Sequence, residues 1–132
     1  MNVGILGFAH GHVGMYCTHW REHPAEGVTV AAGWDHDPSR LAKAAATHGV
    51  RPYGGLDELL AAQDVAAVVI GAETSLHADV VERAAAAGKA IVLQKPLALT
   101  MSEADRIVAA VRRQGVPFTL AWQMRADPQN IK

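Results

Sequence analysis

Cysteine is almost absent from this chain, with Cys17 the single one. That excludes an internal disulfide, and with it the small secreted scaffolds that depend on disulfides. Aromatic residues are scarce as well, at 5%. They are not interleaved with basic residues, so Trp20, Trp34 and Trp122 read as packing residues rather than stacking platforms for nucleic acid. Neither sign of charge dominates. Twelve basic against thirteen acidic side chains leave a net charge of −1, which offers no electrostatic footprint for nucleic acid or an anionic membrane surface. No uncharged apolar run reaches the roughly 18 residues of a membrane span. The opening Met1-Asn2-Val3-Gly4-Ile5-Leu6-Gly7 has no basic leader and enters a strand pattern at once, unlike a secretion signal. These absences lead us to expect a cytoplasmic protein without a nucleic-acid or membrane partner.

What is present is a globular composition. Half of the 132 residues are hydrophobic and 19% are charged, too apolar for disorder and long enough for one domain with a real core. Short, nearly continuous apolar runs recur at Val3–Leu6, Val28–Ala32, Ala67–Ile70, Ala90–Leu93 and Pro117–Leu120, with a weaker candidate at Arg51–Tyr53. Continuous rather than alternating runs are how strands buried on both faces read. Ala- and Leu-rich helical stretches separate them. Asp37 can cap one helix, with Pro38 at its first position and Gly49 at its end. Thr74 or Ser75 can cap another that ends near Gly88. Thr100-Met101-Ser102-Glu103 fits a capping box, and Gly115 and Pro117 close that helix. The alternation predicts an α/β fold: a doubly wound parallel sheet of about six strands, three layers αβα, with right-handed crossovers.

Four places carry chemistry. The first is Gly7-Phe8-Ala9-His10-Gly11-His12-Val13-Gly14, between the first strand and the first helix. A dinucleotide fingerprint there needs three small positions, for a tight turn, close approach of the pyrophosphate and close helix–strand packing. Those positions are Gly7, Ala9 and His12, a degraded match with Gly11 and Gly14 nearby; a ligand-free glycine-rich turn is the competing reading. The second is Asp35, after the second strand and 23 residues beyond His12, near the spacing at which a carboxylate meets the adenosine ribose. It could equally serve as a helix cap or a turn acid. A carboxylate there favours NAD over NADP, although Arg40 stands within reach of a 2′-phosphate. The third is Gly71-Ala72-Glu73-Thr74-Ser75-Leu76-His77, expected beside the first turn where the strand order reverses; Thr74 and Ser75 suit helix caps better than catalysts. The fourth is Gln94-Lys95-Pro96 at the end of the fifth strand, where Lys95 fits equally a site residue and a surface charge. His10 and His12 could chelate a metal, but they suit the lining of the crevice better, so no metal is expected.

These residues carry a resemblance. Val3-Gly4-Ile5-Leu6-Gly7, Asp35, Leu76-His77, Gly88-Lys89, Lys95-Pro96 and Arg125-Ala126-Asp127-Pro128 fall in the order of the glucose–fructose oxidoreductase, inositol dehydrogenase and rhizopine-catabolism proteins, the Gfo/Idh/MocA family. The resemblance spans essentially the whole chain. It implies an N-terminal Rossmann domain that binds NAD, with NADP as the other candidate, in an enzyme moving hydride to or from a sugar, polyol or similar alcohol. It implies cofactor contacts from the first turn, Gly7 to His12, and from Asp35, Arg40, Ala72, Glu73, Thr74, His77, Gln94, Lys95 and Pro96, with Lys95 as the catalytic residue. Gln94 stands where the family has glutamate, and Glu73 where it has proline. The family also has a second α+β domain that builds the substrate pocket and supplies a proton-transferring Asp/His pair. We therefore expect residues 1–122 to form the cofactor domain and 123–132 to begin the connection to a domain absent from this chain. The isolated domain would be inactive, and the full-length form a homo-oligomer. Two alternatives stay open: a non-catalytic dinucleotide-binding regulator of the same fold, and another Rossmann-like binder such as a methyltransferase.

Overall fold

The computed structural model describes all residues except 123, 125–127 and 130–132. Six strands form one sheet: β1 (Asn2–Leu6), β2 (Thr29–Trp34), β3 (Arg51–Pro52), β4 (Ala67–Ile70), β5 (Ala90–Gln94) and β6 (Phe118–Ala121). Five α-helices connect them: α1 (Gly11–Glu22), α2 (Pro38–His48), α3 (Leu56–Ala61), α4 (His77–Ala86) and α5 (Met101–Gln114). The strand order is β3-β2-β1-β4-β5-β6, and every pairing is parallel. The chain thus winds outward from β1 to β3, returns to the middle, and winds outward again to β6. The reversal between β1 and β4 opens a crevice at the carboxyl ends of these strands, where ligands of such folds bind.

Two apolar layers flank the sheet. On one face Leu6, Leu59, Ile70, Val81, Leu93 and Ile107 join α3, α4 and α5 to the strands. On the other, Val3, Ile5, Val13, Cys17 and Val69 pack α1 against it. Burial on both faces is why the central strands β1 and β4 read as unbroken apolar runs, whereas the edge strand β3 is exposed. Trp20 and Trp34 pack against these layers, whereas Trp122 is 52% exposed. No helix among the described residues is long and apolar enough to cross a membrane.

Most expected helix ends are present. The Asp37 carboxylate accepts from the amides of Ser39 and Arg40 at 2.9 and 3.2 Å, and α2 stops at Gly49. Thr100 and Glu103 form the reciprocal capping box of α5, which stops at Gly115. The expected cap at Thr74 or Ser75 is corrected. Thr74–Leu76 form a 3₁₀ turn, and α4 starts at His77 without a side-chain cap. A capping hydroxyl needs extended backbone at its own position, and here that conformation falls on Glu73, one residue earlier. Lys89, in the Gly88-Lys89 pair, is a structural anchor. Its Nζ donates to the carbonyls of Ala62 and Val65 at 2.9 and 2.6 Å, fixing the loop that leads into β4.

Candidate functional site: the crevice at the strand tips

The first turn is built around Gly7. Its φ is +90°, and its amide donates to the Trp34 carbonyl at 2.7 Å. A Cβ at this position would lie 2.4 Å from the Cα of Ala72, so the turn presses directly on the loop after β4. The Phe8 ring lies over β2, where a Cβ on Gly33 would come within 2.9 Å of it. His10 caps α1, its Nδ1 accepting from the His12 amide at 3.3 Å, and its own amide donates to the Gly71 carbonyl at 2.9 Å. That leaves the exposed amides of Ala9 and Gly11 without partners among the described residues. They sit at the N-terminus of α1, whose dipole favours an anion.

The third small position of the fingerprint is filled from an unexpected side. His12 is half-buried, its ring edge-on to that of His10 at 4.9 Å. The close approach of helix to strand is made instead by Gly71, where a Cβ would lie 2.2 Å from Val13 Cγ2. The small residue belongs to the β4 tip, and the larger one, Val13, to the helix.

Asp35 is 4% exposed, and its carboxylate is saturated. Oδ2 accepts from the Phe8 amide and from Arg40 Nε, both at 2.7 Å, while Oδ1 accepts from the Asp37 amide and from Arg40 Nη2, both at 2.8 Å. Burial pushes this carboxyl up, but the Arg40 guanidinium and the two amides outweigh it and hold it below the ordinary carboxylate value. The helix cap falls to Asp37, so Asp35 is left to tie the first turn to α2. Arg40 Nη2 also donates to Glu73 Oε1 at 2.8 Å, which joins the start of α2 to the loop after β4. Glu73 Oε2 is enclosed and has no hydrogen bond. The His36 imidazole lies 3.5 Å from both carboxylates. Beneath this cluster a cleft of about 360 Å³ opens, with Trp34, Leu56, Leu76 and Val80 among its walls.

The other end of the crevice holds Gln94, Lys95 and Pro96. Gln94 is fully buried; its Nε2 donates to the Tyr16 hydroxyl at 2.7 Å, and its Oε1 is enclosed without a partner. Lys95 is exposed. It is close enough to His10 that, after burial, its charge is the largest influence holding that imidazole below its ordinary value, with His12 and His77 adding to it. His77 is 1% exposed. Its Nδ1 faces the carbonyls of Pro96 and Leu97 at 3.1 and 3.3 Å, and its Nε2 faces that of Ala72 at 3.2 Å. It braces the two loops, while Ala72 is buried and Thr74 half-buried beside it. Among the described residues no group of three or more His, Cys, Asp or Glu could hold a metal ion.

Tyr16 and His36 are site neighbours that sequence reasoning passed over. Tyr16 lies in the stripe Val13, Cys17, Trp20 on α1 and reads as core. Nothing in the spacing of His36 marks it. Arg125 to Asp127, the segment similar to the family's motif after the sixth strand, lie outside the described residues, as does most of the expected connection at 123–132.

A 3-2-1-4-5-6 parallel sheet with a glycine turn, a helix N-terminus and an acidic residue at the β2 tip defines a dinucleotide-binding class of fold. Residues 1–121 match the oxidoreductase family with an NAD-binding Rossmann fold, Gfo/Idh/MocA, and the chain belongs to that family. It is 36% identical over 110 residues to D-apiose dehydrogenase of Paraburkholderia graminis, covering 83% of this chain and 29% of that protein. It is 32% identical over 127 residues to inositol 2-dehydrogenase of Ralstonia nicotianae, covering 95% and 37%. Among solved structures, an oxidoreductase from Agrobacterium radiobacter in complex with NAD+, L-tartaric acid and magnesium superposes with a TM-score of 0.84 at 26% identity, over 95% of this chain and 36% of that one. Biliverdin reductase from Synechocystis with biliverdin and NADP+ superposes at 0.78 with 28% identity, over 90% and 37%. The chain spans about a third of the length of these proteins.

Proposed function

We propose that this chain is the cofactor half of an NAD-dependent dehydrogenase that moves hydride to or from a sugar, polyol or related alcohol. One observation carries the reading. Gly7 is pressed on Ala72 with no room for a side chain, and beside it, at a helix N-terminus, the amides of Ala9 and Gly11 have no partner among the described residues. That is a cradle for a pyrophosphate. The enclosed, partnerless Oε1 of Gln94 is a second fitting feature, an acceptor suited to an amide or hydroxyl donor at the far end of the crevice. The cleft beside His36 and Glu73, in which Ser75, Asp79 and Arg83 join the apolar walls, suits a flat heterocycle with polar edges such as adenine. The bound nicotinamide would supply the hydride chemistry.

The chain's own residues bind, orient and polarise. The α1 N-terminus holds negative charge. The Asp35–Arg40 pair fixes the first turn against the loop after β2. The exposed Lys95 ammonium polarises the reacting oxygen and stabilises charge that develops there, and His77 holds the loop that carries Lys95. Residues 1–122 form this half. A second domain beyond 123 builds the substrate pocket and, by family resemblance, brings the proton-transferring groups and the contacts for a homo-oligomer. The location we propose is cytoplasmic, and the lone, buried Cys17 requires no oxidising compartment.

The test is a fluorescence titration of the 132-residue chain with NADH. Saturable binding without turnover of inositol or aldoses is expected. An unchanged spectrum of the folded chain at saturating NADH and NADPH overturns the binding reading. Robust turnover overturns the need for a second domain.

A further inference from the structure

Glu73 is where the crevice departs from what the first turn and Asp35 alone would make of it. In a fold of this class the acidic residue at the β2 tip lies by the 2′ position of the adenosine ribose. In NADP that position carries a phosphate, for which a free arginine is the usual partner. Arg40 is the cation at this place, and two of its three guanidinium nitrogens are committed. Its Nε and Nη2 grip both oxygens of Asp35, and Nη2 also donates to Glu73. With the neighbouring His36 imidazole neutral, one guanidinium against two carboxylates leaves this cluster at −1. Without Glu73 the Asp35–Arg40 pair is neutral, and one edge of the guanidinium loses its partner. Glu73 Oε2 is an acceptor with no hydrogen bond, which suits a hydroxyl donor and repels a phosphate. Charge and hydrogen-bonding capacity therefore point the same way.

We propose that Glu73 is a specificity-determining residue that selects NAD over NADP by holding Arg40 away from the 2′ position and by keeping the cluster negative. The inference rests on the dinucleotide reading above and deepens it. Asp35, with all its lone pairs engaged inside the protein, then acts on cofactor choice through Arg40, and Glu73 supplies the second carboxylate.

The experiment compares the dissociation constants of NADH and NADPH for the wild-type chain, Glu73→Gln and the double variant Glu73→Gln/Arg40→Gln. Glutamine keeps the size and the acceptor of Glu73 while removing its charge. The wild type is expected to prefer NADH. Glu73→Gln should lower the NADPH-to-NADH ratio of dissociation constants by about tenfold or more, the effect of one nearby charge, and NADPH binding should become more salt-dependent. The double variant should lose that gain. If it unfolds, the salt dependence of Glu73→Gln alone decides whether a cation grips the phosphate. A wild type that prefers NADPH overturns the inference. So does an unchanged ratio in Glu73→Gln, or a gain that survives loss of Arg40, with the cofactor reading left standing. A wild type that binds neither nucleotide overturns both.

Discussion

Replacing Gly7 with alanine sets the geometry of the first turn against measurement. Two effects add at this position. The backbone has φ +90°, which an L-side chain adopts only with strain of about 1–3 kcal/mol. The new Cβ would also meet the backbone of Ala72 at 2.4 Å from Cα and 2.5 Å from N. Neither atom belongs to a flexible side chain, so two loops must separate, a further 1–3 kcal/mol or so by analogy with overpacked cores. We expect Gly7→Ala to lose about 2–6 kcal/mol, a large share of the stability of a domain this size. Gly115→Ala is the matched control. It too has a left-handed backbone, at φ +64°, but nothing lies within 4 Å of its Cβ. It should lose only the conformational part. Urea unfolding of both variants, with unchanged slopes, reads the difference. If Gly7→Ala is no more destabilising than Gly115→Ala, the turn does not press on the β4 loop as described, and the cradle argument fails with it.

Three further outcomes are expected. Lys89→Met removes the Lys89 donor from the buried Val65 carbonyl, while the half-buried Ala62 carbonyl keeps the Val65 amide at 3.3 Å. It should lower stability by about 1–3 kcal/mol, and a urea midpoint equal to wild type would refute that anchoring. The Asp35 carboxyl is held below its ordinary 3.8, so its contribution is present above that pH and is lost as pH falls through the lower folded-state value. The wild-type urea midpoint should therefore drop from pH 5 to pH 3, and Asp35→Asn should show a smaller drop; equal drops would count against it. Burial pushes the Cys17 thiol up to about 11. At pH 8 a disulfide reagent should label it at least about a hundredfold more slowly in the folded chain than in urea, and equal rates would show that the α1 face is open.

The parts of this protein that were legible in advance are local. Apolar runs marked the central strands β1 and β4 most clearly because these are buried on both faces. Asp37-Pro38, Thr100 with Glu103, Gly49 and Gly115 marked helix ends because a cap is made with neighbours two to four residues away. Alternation of the two kinds of segment then led to the parallel sheet, and the turn after β1 with the Lys95-Pro96 pair led to the crevice. Thr74 and Ser75 misled because their residue type suits a cap while the backbone there turns as a 3₁₀ segment.

What stayed hidden in the linear chain joins residues far apart along it. Glu73 meets Arg40 across 33 positions. Gly71 stands in for the missing small residue of the first turn, on the opposite side of the contact with Val13. His77 reaches the carbonyls after β5, and of the four bonds to Asp35 the one from the Phe8 amide spans 27 positions. Period and capping are properties of a few consecutive residues, so they survive in one dimension. Which loops face each other at the strand tips follows from strand order and register, and only the packed sheet turns Asp35 inward and brings Glu73 to Arg40.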